Sequence, residues 1–300
     1  MTVLAVVGPT AAGKSTLSIA LAHALDGEVV NADSMQLYRG MDIGTAKLTP
    51  VEREGVPHHL LDIWEVTEPA SVAEYQRRAR AAVDDVLARG RVPLLVGGSG
   101  LYIRAVLEEF EFPGTDPRVR ARLEEELARV GPGPLYERLS AADPVAAERI
   151  LPTNGRRIVR ALEVIELTGS FTAALPQPTP YYESVQIGVD LETGLLDERI
   201  AVRVDRMWAA GLVEETRGLV ARGLCAGRTA SRALGYQQVL RFLAGEMGEA
   251  EARDETVRAT RRFVRRQRSW FRRDPRIVWL DSARADLVAA ALRVAETGRE

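Results

Sequence analysis

The residues best suited to chemistry lie near the start of the chain, where positions 8–15 read Gly-Pro-Thr-Ala-Ala-Gly-Lys-Ser. This is the phosphate-loop pattern G-x-x-x-x-G-K-[ST], which requires a strand before it and a helix after it. Residues 2–7 are an apolar run of strand length, and residues 16–25 carry apolar side chains at helical spacing. Because the N–H groups of such a loop cradle anionic oxygens, we expect a bound polyphosphate, with Lys14 on a phosphate and the Ser15 hydroxyl on Mg²⁺. The predicted loop contacts are Gly8, Pro9, Thr10, Ala11, Ala12, Gly13, Lys14 and Ser15.

A second cationic feature lies near the other end of the chain. Between Arg258 and Arg276 there are nine arginines and a single acidic residue, Asp274. On a helix, Arg261, Arg265, Arg268 and Arg272 would share one face, with aromatic residues between them. The row fits either contact with a phosphate backbone or a solvated helix face anchored by its aromatic residues. The shortage of alternating acids favours phosphate contact.

The rest of the chain predicts an α/β fold. Further strands are expected at residues 28–32, 92–96, 185–189 and 277–280, with a helix over 71–89 capped by Ser71. Strands that alternate with helices imply a P-loop NTPase-like, mostly parallel sheet flanked by helices, with ligands at the carboxyl ends of the strands. Asp33, Ser99 and the phosphate loop all follow such ends.

The middle of the chain is different, since no convincing strand appears between Pro113 and Pro180. Three helices are expected there, one from Asp116-Pro117 to Gly131, one beginning at Asp143-Pro144, and one over 155–167. We therefore predict a small all-helical insertion domain at 114–180, inserted into a catalytic core of 1–113 and 181–300.

Composition excludes some classes of protein. No apolar run approaches the ~18 residues of a membrane span, and no charged leader precedes the first strand. The single cysteine, Cys225, allows no internal disulfide and is expected to be a small packing residue. We expect a cytoplasmic, monomeric protein with no membrane contact. Adjacent His58 and His59 are predicted to pack and form hydrogen bonds, because metal-site spacing is absent.

Several segments together resemble the tRNA dimethylallyltransferase family, also called tRNA isopentenyltransferases. The most specific is NADSMQLYRGMDIGTAK at residues 31–47. The others are the phosphate loop, PHHLLD at 57–62, VGGSGLY at 96–102, DPRVR at 116–120, RIVRALE at 157–163, RVDRM at 203–207, LGY at 234–236 and RRQRSWF at 265–271. The resemblance covers nearly the whole chain and indicates the bacterial type, which lacks the zinc finger of some eukaryotic members. Ala12, Ser15, Ser99 and Gln237 depart from the commonest residues; the two serines keep the hydroxyl of the usual threonine.

The resemblance implies transfer of a dimethylallyl group from dimethylallyl pyrophosphate to N6 of the adenine that follows the anticodon of tRNA, position 37. The leaving pyrophosphate needs cations and N–H dipoles, which the loop, Lys14 and a Ser15-bound Mg²⁺ would supply. Arg203 is carried over from the family as a further clamp, although Arg199, Arg203 and Arg206 also fit a solvated stripe. The exocyclic amine must lose a proton, and Asp33 stands near the loop as the candidate base; a carboxylate that caps the following turn is the alternative.

The target adenine must also leave the base stack, and Ser34, Met35 and Gln36 follow Asp33 directly and are expected to hold it. Further contacts with the anticodon stem-loop are implied for a set of residues in which arginine is the commonest type. This set comprises Asp33, Ser99, Arg120, Arg156, Arg157, Ile158, Val159, Arg160, Arg232, Gly235, Tyr236 and Gln237, to which the arginine row adds Arg265 and Arg268. For Arg156, Arg157 and Arg160, a solvent-facing position fits the sequence equally well.

Two other functions share the phosphate loop. A nucleotide-kinase-type phosphotransferase has the same loop and often an Asp after the second strand, but it needs no long nucleic-acid surface. A nucleic-acid-binding NTPase would require a strand ending in Asp to manage Mg²⁺ and water, whereas residues 92–96 lead into glycines and only Asp281 has that appearance.

Overall fold

Six parallel strands form a single sheet in the order β3-β2-β4-β1-β5-β6. The structure is a computed structural model that describes residues 2–109, 111–172 and 177–297. The predicted fold class is confirmed, and each predicted strand is present within two residues of its expected bounds. The strands are β1 (Val3–Val7), β2 (Gly27–Asn31), β3 (His58–His59), β4 (Val92–Gly97), β5 (Ser184–Asp190) and β6 (Ile277–Asp281).

The chain divides into two compact units. The sheet unit consists of residues 1–109 and 180–300, and the helical unit of residues 110–179. The sheet unit contains helices α1 (Lys14–Leu25), α2 (Val72–Ala88), α3 (Gly100–Leu107), α8 (Thr193–Ala209), α9 (Leu212–Ala221), α10 (Tyr236–Leu243), α11 (Glu249–Phe271) and α12 (Leu287–Thr297). The helical unit contains α4 (Pro117–Val130), α5 (Pro132–Ala142), α6 (Pro144–Glu148) and α7 (Gly155–Thr168).

The central strand β1 shows how the sheet is buried on both faces. Val3, Ala5 and Val7 pack into one hydrophobic cluster, and Leu4 and Val6 pack into another. Successive side chains of a strand point to opposite faces, so a wholly apolar strand can contribute to two layers of helices at once. This two-sided burial holds the carboxyl ends of β1, β2 and β4 at one edge, where the phosphate loop begins.

The helical unit has its own core, and its helices begin and end at the predicted caps. The side chain of Asp116 accepts hydrogen bonds from the first turn of α4, Asp143 does the same for α6, and Gly169 ends α7 with a φ of 84°. One helix was not predicted, since α5 begins in Pro132-Gly133-Pro134, which reads as a loop. Proline is acceptable at the first helical position because its missing N–H would be unpaired there in any case.

Three smaller expectations concern single residues and segments. His58 Nδ1 lies 2.8 Å from the carbonyl oxygen of Val56, and His59 Nε2 lies 2.7 Å from a carboxylate oxygen of Glu28, so the predicted hydrogen-bonding pair is confirmed. Cys225 is exposed, and its predicted packing role is wrong. None of the helices in the described ranges combines the length and apolar character that a bilayer crossing requires.

Candidate active site

The phosphate loop connects the end of β1 to the start of α1 in a conformation that its glycines make accessible. Gly13 precedes α1 with a φ of 95°, and Ala11 also has a positive φ, 67°. At Gly8 a Cβ atom would lie 2.1 Å from the carbonyl oxygen of Val189 in β5, so only glycine permits this approach. Lys14 Nζ donates to the carbonyl oxygen of Pro9 at 2.8 Å, which curls the side chain over its own loop.

Three ionisable residues that are remote in sequence interact beside this loop. Burial of the ammonium lowers the pKa of Lys14 to about 8, against the opposing attraction of Asp33, and the positive charge of Arg203 lowers it further. The pKa of Arg203 is likewise lowered by burial and partly restored by Asp33. Two cations and one carboxylate therefore share a poorly solvated space, where an arriving anion would be strongly attracted.

Arg203 differs from its neighbours on α8. Arg199 and Arg206 are exposed, whereas Arg203 is half-buried and its Nη2 donates to the carbonyl oxygen of Thr45 at 3.1 Å. A solvated stripe is thus wrong for Arg203. Its guanidinium contacts the segment 36–47, which follows Asp33 in the sequence.

Asp33 lies directly beyond β2 and is fixed by a local network. Its peptide N–H donates to Oδ1 of Asn31 at 3.0 Å, and its own Oδ1 accepts from the N–H of Met35 at 2.9 Å. The hydroxyl of Tyr75 donates to the carbonyl oxygen of Asn31. One carboxylate oxygen of Asp33 therefore caps the following turn, which was the alternative role considered for this residue. Its negative charge also acts on Lys14 and Arg203.

Ser34 and Gln36 are held by neighbours of the same site. The N–H of Ser34 donates to Oγ of Ser99 at 3.2 Å, which ties the residue after Asp33 to the start of α3. Gln36 donates its amide to the carbonyl oxygen of Thr45 at 3.2 Å. Ser99 was predicted only as a tRNA contact, and the structure gives it a direct role in orienting the residue that follows Asp33.

Sequence reasoning missed two residues that shape the site. Gln267 on α11 accepts from the N–H of Thr10 in the phosphate loop and donates to the carbonyl oxygen of Gly98, both at 2.9 Å. Lys47, whose side chain is 3% exposed, donates to carboxylate oxygens of Asp42 and Asp62 at 2.6 Å each. In the sequence Gln267 is a single amide within a run of arginines, which does not reveal its partners, and Lys47 lay within the signature without being assigned a role.

The predicted tRNA contacts divide into exposed and buried side chains. Ile158 and Val159 are core residues of the helical unit, and Tyr236 is fully buried in the sheet unit. The side chains of these three residues are taken up by the packing of α7 and α10, so the tRNA contacts predicted for them stay a prediction that only their backbone atoms could meet. Gly235 is also buried, with its N–H bonded to Gln238. The exposed members are Arg156, Arg157, Arg232 and Gln237.

Two arginines of the helical unit share one buried carboxylate. Arg120 forms an ion pair with Glu163, and Arg160 Nη1 lies 2.6 Å from the same carboxylate oxygen. Glu163 is fully buried, so both guanidinium groups neutralise it. Arg160 also donates to the carbonyl oxygens of Pro113 and Gly114, which indicates a structural role in joining α7 to the start of the unit.

The arginine row is only partly a free cationic face. Arg268 lies 2.8 Å from the carboxylate of Asp190 at the end of β5, and Arg272 lies 3.1 Å from its other oxygen. Arg261 lies 3.4 Å from the carboxylate of Asp197. Arg265 is exposed. Acids from β5 and α8 form ion pairs with three of the four members, so the row is not a uniformly free cationic face, and its contact with tRNA stays a prediction.

The fold and this site define a P-loop protein of the transferase type, with cations and a carboxylate at the carboxyl ends of a parallel sheet. The profile of the IPP transferase family matches residues 36–274. A tRNA dimethylallyltransferase of Salinispora arenicola is 83% identical over 293 residues, covering 97% of this chain and 86% of that protein. The chain belongs to the IPP transferase family.

Solved structures agree with this assignment. The chain is similar to a full-length tRNA isopentenylpyrophosphate transferase from Bacillus halodurans, with 40% identity, a TM-score of 0.75, and coverage of 99% of this chain and 97% of that one. It is also similar to a eukaryotic dimethylallyltransferase acting on tRNA, with 26% identity, a TM-score of 0.82, and coverage of 99% and 78%. Family membership decides against the nucleotide-kinase and NTPase alternatives.

Proposed function

We propose that this chain transfers a dimethylallyl group from dimethylallyl pyrophosphate to N6 of adenine 37, next to the anticodon of tRNA, and releases pyrophosphate. The observation that carries the proposal is the meeting of Lys14, Asp33 and Arg203 beside the phosphate loop. Two desolvated cations suit a leaving pyrophosphate, and a carboxylate that interacts with both suits an amine that must lose its proton.

In the proposed reaction, the bond between the allylic carbon and the pyrophosphate oxygen breaks as the carbon bonds to N6 of adenine. Lys14, Arg203 and the N–H groups of residues 8–15 stabilise the negative charge that develops on the pyrophosphate. Asp33 accepts the proton of the exocyclic amine. Since Oδ1 of Asp33 accepts from Met35, the proton is assigned to Oδ2.

The residues present fit a Mg²⁺ ion held mainly by the substrate. Mg²⁺ commonly takes one or two protein oxygens, with substrate phosphates and water as its other ligands. The Ser15 hydroxyl is the protein oxygen in the position that the phosphate loop reserves for this ion. Within the described ranges no group of three acidic, histidine or cysteine side chains could bind a metal by itself. When bound, the ion neutralises charge on the pyrophosphate.

The tRNA is expected to meet the exposed cations. We assign the extruded adenine to Ser34, Met35 and Gln36, and the anticodon stem-loop to the exposed side chains of Arg156, Arg157, Arg232, Gln237 and Arg265. We propose a cytoplasmic protein that acts as a monomer; the monomer is supported by the interaction of all three reacting-site residues within one chain.

The decisive experiment is Asp33→Asn. Asparagine keeps the shape and can still accept from Met35, but it takes no proton at neutral pH. Single-turnover transfer should fall by ~10²–10⁴, while the dissociation constants for tRNA and dimethylallyl pyrophosphate stay within a few-fold. Asp254→Asn, at an exposed position on α11, is the matched control. An Asp33→Asn enzyme that keeps more than about a tenth of the wild-type rate contradicts the general-base role.

A further inference from the structure

A carboxylate outside the reacting site holds the loop that reaches Arg203. Glu215, in the first turn of α9, accepts from three successive peptide N–H groups, those of Asp42 at 3.2 Å, Ile43 at 2.8 Å and Gly44 at 3.2 Å. Successive N–H groups that converge in this way form a backbone nest, which is an anion-binding concavity. Here the anion is supplied by the protein itself.

Tyr236 is a fourth donor to the same carboxylate. Its hydroxyl donates to Oε1 of Glu215 at 2.6 Å, and burial together with the Glu215 charge raises the pKa of Tyr236, so the phenol stays protonated and donates. A Cβ atom at Gly44 would lie 2.4 Å from the Tyr236 ring. The ring therefore presses directly against the nest, and only glycine fits between them.

The nest is joined to the reacting site through the next peptide. The carbonyl oxygen of Thr45 accepts from Nη2 of Arg203 at 3.1 Å and from the amide of Gln36 at 3.2 Å. Any movement of residues 42–44 would displace this acceptor. The direction of the Arg203 guanidinium therefore depends on a carboxylate that it does not touch.

We propose that Glu215 is a positioning residue for the transfer reaction, fixing residues 42–44 so that the Thr45 carbonyl aims Arg203 at the pyrophosphate. This inference rests on the proposed function, since it needs Arg203 to act on the leaving group. The negative charge is essential because three N–H donors and one O–H donor share two oxygens. An amide at position 215 would replace one of those acceptors by an NH₂ group that faces other donors.

The first test compares Glu215→Gln with Glu214→Gln. Both residues lie in the first turn of α9, so both substitutions remove the same favourable interaction with the helix dipole. Glu214 has a 72% exposed side chain paired with Arg217. Glu215→Gln should lower the single-turnover rate by roughly ten- to a hundredfold, the usual effect of losing hydrogen bonds to a charged acceptor. Glu214→Gln should stay within about twofold.

A double-mutant cycle with Arg203→Ala separates positioning from general loss of structure. If Glu215 acts through Arg203, adding Glu215→Gln to Arg203→Ala should cost almost nothing further, since interacting residues are non-additive. Rates are measured at a temperature where every variant is folded by circular dichroism. Tyr236→Phe, which removes only the phenolic hydroxyl, should show a smaller rate loss that also vanishes in the Arg203→Ala background, and it serves as the second variant if Glu215→Gln does not fold.

The outcomes distinguish this inference from the function on which it rests. Suppose that Arg203→Ala slows transfer and that Glu215→Gln lowers the rate of the Arg203→Ala enzyme by the same factor as it lowers the wild-type rate. The positioning role is then wrong and the proposed function stands. If Arg203→Ala leaves transfer unchanged, the assignment of Arg203 to pyrophosphate is wrong, and the inference about Glu215 falls with it.

Discussion

Lys14 should titrate near pH 8 in the ligand-free protein. Burial lowers its pKa from 10.5 to about 8, with Asp33 opposing the shift and Arg203 adding to it. The difference of about 2.5 pH units corresponds to roughly 3 kcal/mol of disfavoured charge. Pyrophosphate should reverse this shift, because it brings compensating negative charge to the ammonium. Binding should therefore weaken above pH 8, by up to about tenfold per pH unit until pH 10.5, with proton uptake in the same range.

The composition of the chain makes this titration directly measurable. Its sequence contains two lysines, Lys14 and Lys47. Protein labelled with ¹³C at lysine Cε should give two side-chain signals by NMR, and Lys14→Met should remove one and so assign both. Titration from pH 6 to 11, with and without pyrophosphate, then yields the pKa of Lys14 in each state. A ligand-free pKa within half a unit of 10.5 would refute the argument that the site strips water from Lys14.

The same shift predicts how stability depends on pH. In the unfolded chain the lysine titrates near 10.5, and in the folded protein near 8, so between these values the unfolded chain binds more protons. The full penalty of the buried charge therefore acts below pH 8 and is relieved as the pH rises toward 10.5. The free energy of unfolding of the wild type should rise across this window relative to Lys14→Met. Parallel curves for the two proteins would contradict the assignment.

Three other predictions concern α11. Gln267→Ala, which leaves the Thr10 N–H and the Gly98 carbonyl without their side-chain partner, should weaken pyrophosphate binding by roughly tenfold in calorimetry; unchanged affinity would show that the loop holds its shape unaided. Arg265→Ala should lower the salt slope of tRNA binding by roughly 0.7–0.9. Arg268→Ala should instead leave that slope unchanged and destabilise the fold by about 2 kcal/mol in urea unfolding, because it removes a partner of Asp190.

The sheet and the phosphate loop were predictable because their signals are local. A wholly apolar strand such as β1, followed by a glycine-rich turn and a helical repeat, specifies its own structure within about 25 residues. The short strand β3 was missed because two adjacent histidines do not form a strand pattern in the sequence. They form a strand through their parallel pairing with β2. Helix α5 was missed because two prolines at its start read equally well as a loop.

The supporting residues of the site could not be predicted, since their partners are remote in sequence. Gln267 and Thr10 are 257 positions apart, and Glu215 is 172 positions from Ile43. Nothing near Glu215 distinguishes it from Glu214, which has the same type and the same helical turn. Only the fold brings Glu215 to the peptide N–H groups of residues 42–44 and leaves Glu214 exposed to solvent.

The arginines of α11 show that the charge counted along one helix does not reveal which of its cations are paired with acids from elsewhere in the fold. Arg268 and Arg272 both pair with the single carboxylate of Asp190, which comes from the end of a strand about 80 positions earlier. Where carboxylates surround a guanidinium, its pKa rises, as at Arg276 beside Asp274 and Glu108.

At Lys14 and Arg203 the pKa falls instead, because burial outweighs the single opposing charge of Asp33. A cation that is buried without full compensation is costly to the fold, and an arriving anion removes that cost. This is the electrostatic condition that a pyrophosphate-binding site requires, and it distinguishes Lys14 and Arg203 from the arginines of α11 that pair with carboxylates.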